Sequence, residues 1–202
     1  MKLNLYINKF LHLFEVMKIR TQDKVVYLTF DDGPDPDITE FVLKQLRKYR
    51  FTATFFCMGC KAREYPDLLY AILNDGHSIG NHTYNHFHSF HTLTHDYIVD
   101  VKMADQILRT HLFRPPWGAL SLSVFLKLRK DYKIVYWSLD SGDSGNESFQ
   151  YERSKQRLID RTTVGSVVLF HCCHKHANET KRLLPMYLNW LERNGYKSIK
   201  MD

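Results

Sequence analysis

Short apolar segments alternate with longer amphipathic segments along most of this 202-residue chain. Seven short runs predict strands: Val25–Phe30, Thr52–Cys57, His77–Gly80, Phe113–Arg114, Ile134–Leu139, Val167–Phe170 and Lys197–Lys200. The segments between them predict helices at Ile38–Tyr49, Tyr65–Asn74, Thr94–Thr110, Leu120–Lys130, Tyr151–Thr162 and Glu179–Arg193. We expect Pro185 to kink the last helix and Gly195 to cap it. This order is typical of a parallel sheet covered by helices, either an open doubly wound sheet or a barrel.

The composition excludes several classes of protein. The chain is 44% hydrophobic and 25% charged, as in ordinary globular domains rather than disordered or collagen-like chains. Its formal net charge of +6 is mild, and no dense basic run suggests nucleic-acid binding. A chain of this size buries roughly 70% of its unfolded surface, so it needs no metal to form a core. A metal site in this sequence is therefore expected to be functional.

The four cysteines form two local pairs, Cys57 with Cys60 and Cys172 with Cys173. They are too few for the disulfide framework of a small secreted domain, which favours a reducing compartment. No second C-x-x-C motif is present to complete a zinc ribbon. We expect these side chains to be packed in the core.

Residues 1–20 carry apolar side chains at helical spacing and predict an N-terminal amphipathic helix ahead of a single domain at 21–202. We expect this helix to pack on the domain, with peripheral membrane or partner contact as the alternative. The segment lacks the apolar core and cleavage site of a signal peptide and is too short to span a bilayer. A cytoplasmic location is favoured unless a leader is missing from the sequence.

Chemically reactive side chains follow five of the predicted strands. They are Asp31, Asp32, His82, His86, Arg114, Asp140, Asp143 and His171. In α/β folds the carboxyl ends of parallel strands meet at one edge, where catalytic loops gather. This placement favours a catalytic site.

His82 and His86 are four residues apart, which on one helical turn would place both imidazoles on the same face. A carboxylate such as Asp32 would complete three metal ligands and leave open positions. Two histidines and one carboxylate are also the ligand set of non-haem Fe(II) oxygenases, and a histidine-rich polar surface is a further alternative.

Five segments of the sequence resemble the motifs of the polysaccharide deacetylase family, also called the NodB-homology or carbohydrate esterase 4 family. In the family's order they are Thr29–Pro34, His82–His86, Arg114–Gly118, Trp137–Asp143 and Leu169–His171. The resemblance covers about residues 24 to 200. The first two motifs together are highly specific, whereas the last would mean little alone.

The resemblance implies a distorted (β/α) barrel with about seven parallel strands. It also implies one divalent ion held by Asp32, His82 and His86, with zinc favoured over cobalt, nickel or manganese. Such an ion lowers the pKa of bound water and polarises an acyl oxygen. Asp31 would act as general base and His171 as general acid.

Four further assignments concern groups around these two. By the resemblance, Arg114 pairs with Asp31 and keeps it ionised, and Asp140 orients His171. The backbone N–H at Trp117 would stabilise the oxyanion, with Gly118 allowing close approach. The aromatic rings of Tyr84 and Trp137 are candidates for stacking on a sugar.

Two positions depart from the family pattern. Ser144 stands where many members have a tryptophan that walls the groove, and Cys172 stands where an aspartate often follows the histidine. Neither removes a catalytic group. A serine at 144 would open one wall or leave it to Tyr84, Trp117 or Trp137.

The leading interpretation is a metal-dependent hydrolase that removes an acetyl group from an N-acetylated amino sugar or polysaccharide. An O-acetyl esterase acting on xylan-like carbohydrate would use the same residues and is not separated by sequence. A non-catalytic metal- or carbohydrate-binding relative is a third hypothesis. The expected partner is an acetylated carbohydrate, and the sequence leaves the oligomeric state open.

Overall fold

The computed structural model describes residues 18–145 and 149–202. The strands are β1 (Val25–Asp31), β2 (Ala53–Cys57), β3 (Ser78–Asn81), β4 (Leu112–Phe113), β5 (Lys133–Ile134), β6 (Leu139–Asp140), β7 (Val167–His171) and β8 (Lys197–Ser198). The α-helices are α1 (Thr39–Tyr49), α2 (Gly59–Glu64), α3 (Pro66–Asn74), α4 (Thr94–Leu108), α5 (Leu122–Leu128), α6 (Tyr151–Arg161) and α7 (Ala177–Arg193). Short 3₁₀ turns lie at Pro116–Gly118 and His174–His176.

Seven of these strands form one parallel sheet in the order β5-β4-β3-β2-β1-β7-β6, and β8 pairs with the start of β1. Every pair of named strands is parallel. The sheet curls into a distorted (β/α) barrel, as predicted. Its end strands β5 and β6 follow each other in sequence but form no ladder between them, which leaves an open seam.

The core lies between the central strands and helices α1 and α7. All seven residues of β1 are buried, as expected for a parallel strand covered on both faces. Phe30 stacks against Phe55 and Phe170 on the two neighbouring strands, with ring centroids 5.0 and 5.8 Å apart. The rigid centre of the sheet therefore carries the segment that ends in Asp31.

The predicted elements are found with two differences. The run Ile134–Leu139 is not one strand but the two short strands β5 and β6. Between them the carbonyl groups of Val135 and Tyr136 accept hydrogen bonds from a side chain rather than from a neighbouring strand. Helix α2 was not predicted, because its six residues begin with a glycine and are too few to show helical periodicity.

The ends of the chain test two further expectations. The prediction of a helix over 1–20 falls mostly on residues outside the described part. The helix stays a prediction, and it does not extend over residues 18–20, because Lys18 forms an antiparallel bridge with Ser166 and the Ile19 N–H donates to the Gly165 carbonyl. Of the helices described, none has the length and apolar character needed to cross a bilayer.

Helix α7 continues on both sides of Pro185 and ends as predicted. The N–H of Gly195 donates to the Glu192 carbonyl, and that of Tyr196 to the Leu191 carbonyl. With Gly195 at a φ of +71°, these bonds form a Schellman cap.

Candidate active site

A cleft of about 520 Å³ opens at the carboxyl edge of the sheet. The loops after β1, β3, β4, β6 and β7 all contribute to it. Among the predicted site residues, its lining contains Asp31, Asp32, His82, His86, Trp117, Gly118, Trp137, Asp140 and His171. Arg114 lies buried beneath the cleft, and Tyr84 lies outside it.

The predicted metal ligands Asp32, His82 and His86 are brought together, with one ligand atom of each within 4.8 Å of the others. Asp32 Oδ1 lies 3.4 Å from His82 Nε2 and 3.1 Å from His86 Nε2. Asp32 has a φ of +70°, so the chain turns sharply after β1 and sends adjacent carboxylates in different directions. This is the arrangement that the sequence predicted for a three-ligand site.

The two histidines do not lie on a helical turn, so that part of the prediction is wrong. Residues 82–86 form an irregular loop in which Thr83 and His86 have φ values of +63° and +59°. The carboxylate of Asp100 on α4 holds this loop. It accepts hydrogen bonds from the backbone N–H groups of Tyr84 and Asn85 and from the Asn85 side chain.

The chemistry of these three residues fits a divalent metal ion. Asp32 Oδ1 is buried and has no hydrogen-bond partner within the described structure. His82 Nδ1–H donates to the Arg114 carbonyl at 2.8 Å, so its other ring nitrogen, Nε2, is the one that faces Asp32. Burial opposes ionisation of Asp32, yet the two imidazoles hold the pKa of its carboxyl well below the ordinary value. A buried anionic oxygen between two imidazole nitrogens is a ligand set suited to zinc and similar ions.

Asp31 forms the predicted pair with Arg114. The Arg114 Nη1–H donates to Asp31 Oδ1 at 2.7 Å, and the guanidinium is fully buried. Burial lowers the pKa of this guanidinium, and the Asp31 charge counteracts that effect. The other oxygen, Asp31 Oδ2, lies 3.9 Å from His82 Nε2 and so faces the metal ligands.

Every nitrogen of the Arg114 guanidinium has a partner. Besides Asp31, it donates to Thr29 Oγ1 at 2.8 Å, to the Val135 carbonyl at 3.2 Å and to the Tyr136 carbonyl at 2.9 Å. Its plane also lies 4.1 Å from the centre of the Phe56 ring. These contacts fix the guanidinium, and through it the Asp31 carboxylate.

His171 is oriented by Asp143 and not by Asp140, which corrects the sequence-based assignment. Asp143 Oδ1 lies 2.8 Å from His171 Nδ1, and Oδ2 accepts the backbone N–H of His171 at 2.7 Å. Thr180 on α7 donates a further hydrogen bond to Oδ2 at 2.8 Å. Asp143 is fully buried by these contacts.

Asp140 instead folds back on its own loop. Its Oδ1 accepts the backbone N–H of Gly142 at 2.6 Å, an Asx-type turn. Gly142 then adopts a φ of +81°, which reverses the chain and directs Asp143 toward the end of β7. The local hydrogen bond therefore takes Asp140 away from the histidine.

The pair of His171 and Asp143 has shifted pKa values. Burial alone would lower the pKa of His171, but the charge and hydrogen bonds of Asp143 outweigh it and raise the pKa to about 9. Burial likewise opposes ionisation of Asp143, and the neighbouring imidazolium holds the pKa of its carboxyl below the ordinary value. His171 therefore carries a proton at neutral pH.

A sequence model described as polysaccharide deacetylase matches residues 18–137 of this chain. The chain belongs to the polysaccharide deacetylase family. The motifs that suggested the resemblance are the segments that build the cleft.

Two curated relatives in the polysaccharide deacetylase family are similar over most of their length. A peptidoglycan-N-acetylglucosamine deacetylase of Bacillus cereus is 32% identical over 193 residues, covering 92% of this chain and 90% of that protein. A chitooligosaccharide deacetylase of Azorhizobium caulinodans is 32% identical over 168 residues, covering 79% of each.

A solved deacetylase structure confirms the family fold. A peptidoglycan N-acetylglucosamine deacetylase, crystallised with a benzamide compound, matches with a TM-score of 0.83 at 24% identity. The match covers 95% of this chain and 93% of that one.

Trp117, Gly118 and Trp137 form one wall of the deacetylase cleft. Trp117 is 66% exposed and meets the edge of His86 with ring centroids 5.1 Å apart. Gly118 has a φ of +62°, and a Cβ there would lie 2.8 Å from the Trp137 ring. The turn can therefore pass over Trp137 only with glycine at 118.

Tyr84 does not stack in the cleft, which corrects a second assignment. It lies in a separate groove between α2, α3 and α4. A Cβ on Gly59 would lie 2.6 Å from its ring, so the tyrosine packs directly on the start of α2. Of the three aromatic residues considered for the wall at Ser144, only Trp117 and Trp137 line the cleft.

Three residues of the cleft lining were not considered in the sequence analysis: Lys61, Lys175 and His176. Cys173 also lines the cleft and is only partly buried, so it is not packed in the core as expected. The His176 ring lies 5.1 Å from that of His171, and burial lowers the pKa of His176. Asp100, which holds the loop at residues 82–86, could have been found from the sequence, because an acidic residue on the apolar face of α4 needs polar partners.

Proposed function

We propose that this chain hydrolyses the N-acetyl group of an amino sugar within a glycan. Two charged pairs flank the Asp32, His82 and His86 group, and this is the observation that carries the proposal. Asp31 with Arg114 provides a fixed carboxylate, and His171 with Asp143 provides a proton donor. Hydrolysis of an amide needs both, one to take a proton from water and one to give a proton to the amine.

Asp31 is proposed as the general base. Its Oδ1 is occupied by Arg114, so Oδ2 is the oxygen that receives the proton from the attacking water. Arg114 supplies a positive charge in direct contact with this carboxylate. The buried guanidinium also fixes the carboxylate, so Oδ2 keeps its direction toward the water.

His171 is proposed as the general acid. Its Nδ1 faces Asp143, so the proton delivered to the departing amine comes from Nε2. Asp143 holds the ring in place and stabilises the imidazolium until the transfer occurs. A doubly hydrogen-bonded carboxylate at this position gives the acid one orientation only.

The backbone N–H of Trp117 is proposed as the donor to the developing oxyanion. The neighbouring N–H groups of Gly118 and Ala119 already donate to the Pro115 and Pro116 carbonyls. The exposed Trp117 ring and the Trp137 ring offer apolar faces to a sugar.

Asp32, His82 and His86 are proposed to hold one divalent ion, most suitably zinc. When bound, the ion would supply a Lewis acid that polarises the acetyl oxygen and lowers the pKa of water. The protein's contribution is to orient the His82 ring, since the bond from its Nδ1–H to the Arg114 carbonyl leaves Nε2 to face the ion.

Elemental analysis combined with acetate release tests this proposal. We expect about one divalent ion per chain, lost in His82→Ala and retained in His95→Ala, since the His95 side chain is 85% exposed and lies outside the group. Acetate should be released from N-acetylated chitooligosaccharide faster than from O-acetylated xylan. A metal-free wild type after reconstitution would contradict the metal assignment, and faster release from xylan would favour the esterase.

A further inference from the structure

Cys173 follows β7 and lies against Asp32, one of the three proposed metal ligands. Its Sγ is 3.8 Å from Asp32 Oδ2, a contact in which the thiol is the donor. The thiol lines the cleft and is only partly buried, unlike that of the neighbouring Cys172, which packs in the core. The catalytic roles assigned to the cleft do not use this side chain, and its contact with Asp32 indicates what it does.

Two backbone hydrogen bonds fix the position of Cys173. The Cys172 N–H donates to the Asp31 carbonyl at 2.7 Å, and the His174 N–H donates to Asp35 Oδ2 at 3.0 Å. These bonds tie the loop after β7 to the loop after β1 on both sides of Cys173. The backbone therefore holds Cys173 in place, and its thiol is not needed to set the path of the loop.

The two carboxylate oxygens of Asp32 have different surroundings. Oδ1 lies 3.4 Å from His82 Nε2 and 3.1 Å from His86 Nε2, is buried, and has no hydrogen-bond partner among the described residues. Oδ2 is the oxygen in contact with the Cys173 thiol. The sulfur can approach this oxygen only as a neutral S–H group, because a thiolate and a carboxylate repel each other. The thiol thus occupies Oδ2 and leaves Oδ1 for the ion.

We propose that Cys173 is a positioning residue for the metal site, since its thiol holds the Asp32 carboxylate in the orientation that directs Oδ1 toward the ion. The inference rests on the proposed metal site and adds to it a residue outside the ligand set. A carboxylate with one oxygen already fixed loses less freedom when the ion binds, so affinity for the metal increases. Removing such a partner of a metal ligand costs roughly 10- to 100-fold in metal affinity.

The zinc affinity of the purified protein, measured by competition with a chromophoric chelator, tests the role of Cys173 without any substrate. We expect Cys173→Ala to raise the Kd for zinc about tenfold, the lower end of that range, because a thiol is a weak donor. Cys173→Ser keeps a donor at this position and should restore affinity toward the wild-type value. Cys60→Ala is the matched control and should bind zinc as the wild type does, since Cys60 is also partly buried but does not line the cleft.

The outcomes distinguish the role of Cys173 from the metal site on which it rests. Unchanged zinc affinity in Cys173→Ala, or an equal loss in the alanine and serine variants, would overturn the positioning role and leave the metal site standing. A near-ultraviolet charge-transfer band in the cobalt-loaded wild type that is absent from Cys173→Ala would make the sulfur itself a ligand and would also overturn it. A wild type that binds no zinc would overturn the proposed metal site, and the positioning role with it.

Discussion

The two ion pairs that flank the metal ligands are built from different cations. Arg114 is fully buried and takes no part in proton transfer, whereas the His171 side chain is 15% exposed and is the proposed proton donor. The proposed base Asp31 thus gains and loses its proton beside a cation that itself stays unchanged. The acid must lose and regain a proton in each turnover, so its partner raises its pKa without making the charge permanent. Four substitutions test this difference between the two pairs.

Asp31→Asn should give the largest loss of activity. Removing a general base lowers kcat by roughly 10² to 10⁴. The asparagine oxygen can still accept the Arg114 hydrogen bond, so metal binding should be retained, although the lost charge beside the buried guanidinium lowers the free energy of unfolding. Acetate release measured beside metal content checks this. An active variant, or one that has lost its metal, would contradict the role given to Asp31.

Arg114→Met should cost the most stability. It leaves a buried carboxylate without its partner, and such losses amount to about 3 to 5 kcal/mol in the free energy of unfolding. Urea unfolding measures it, with Arg193→Met at the exposed end of α7 as the control. That control should change stability by less than about 0.5 kcal/mol. Equal stability of the two variants would mean that the Arg114 pair contributes nothing to the fold.

Asp143→Asn should move the alkaline limit of activity. His171 works as an acid only while protonated, and its pKa of about 9 keeps it so up to mildly alkaline pH. Without Asp143 the two largest effects that raise this pKa are lost, and only the charges of Asp32 and Asp31 still oppose burial, so the pKa falls. The falling limb of the kcat profile should therefore shift about one pH unit or more lower. An unchanged falling limb would show that Asp143 does not set the pKa of His171.

Asp140→Asn should have the smallest effect. Its amide oxygen can still accept the Gly142 N–H, and His171 keeps its bond to Asp143. We expect the falling limb of the kcat profile to stay within about 0.3 pH units of wild type, the precision of such a measurement. A shift as large as that of Asp143→Asn would restore Asp140 as the partner of His171.

The contrast between Asp140 and Asp143 also marks where prediction from sequence ends. Asp31, Asp32 and His171 were placed correctly because each lies at the end of a predicted strand, whose position the sheet determines. The partner of His171 lies in a loop whose path depends on a glycine with positive φ and on one short-range hydrogen bond. The aspartates and glycine of this loop indicate an Asx-type turn, but the sequence does not say which aspartate forms it.

The same reason explains the errors at Tyr84 and at the histidine pair. Spacing alone places His82 and His86 near each other, but the loop that joins them takes its shape from Asp100, which lies on α4. Tyr84 within that loop is turned toward α2 by Gly59. Contacts between segments distant in sequence decided both, and these are known only once the chain is folded.

The open seam between β5 and β6 ties the chemistry to the architecture. At this seam the Val135 and Tyr136 carbonyls accept hydrogen bonds from Arg114, the residue that also pairs with Asp31. The Arg114 side chain thus both satisfies the backbone at the open seam and fixes the proposed catalytic carboxylate. A lineage that abandoned catalysis would be free to change Asp31 long before it could discard Arg114. A relative that has lost activity is therefore expected to keep the arginine and lack the aspartate.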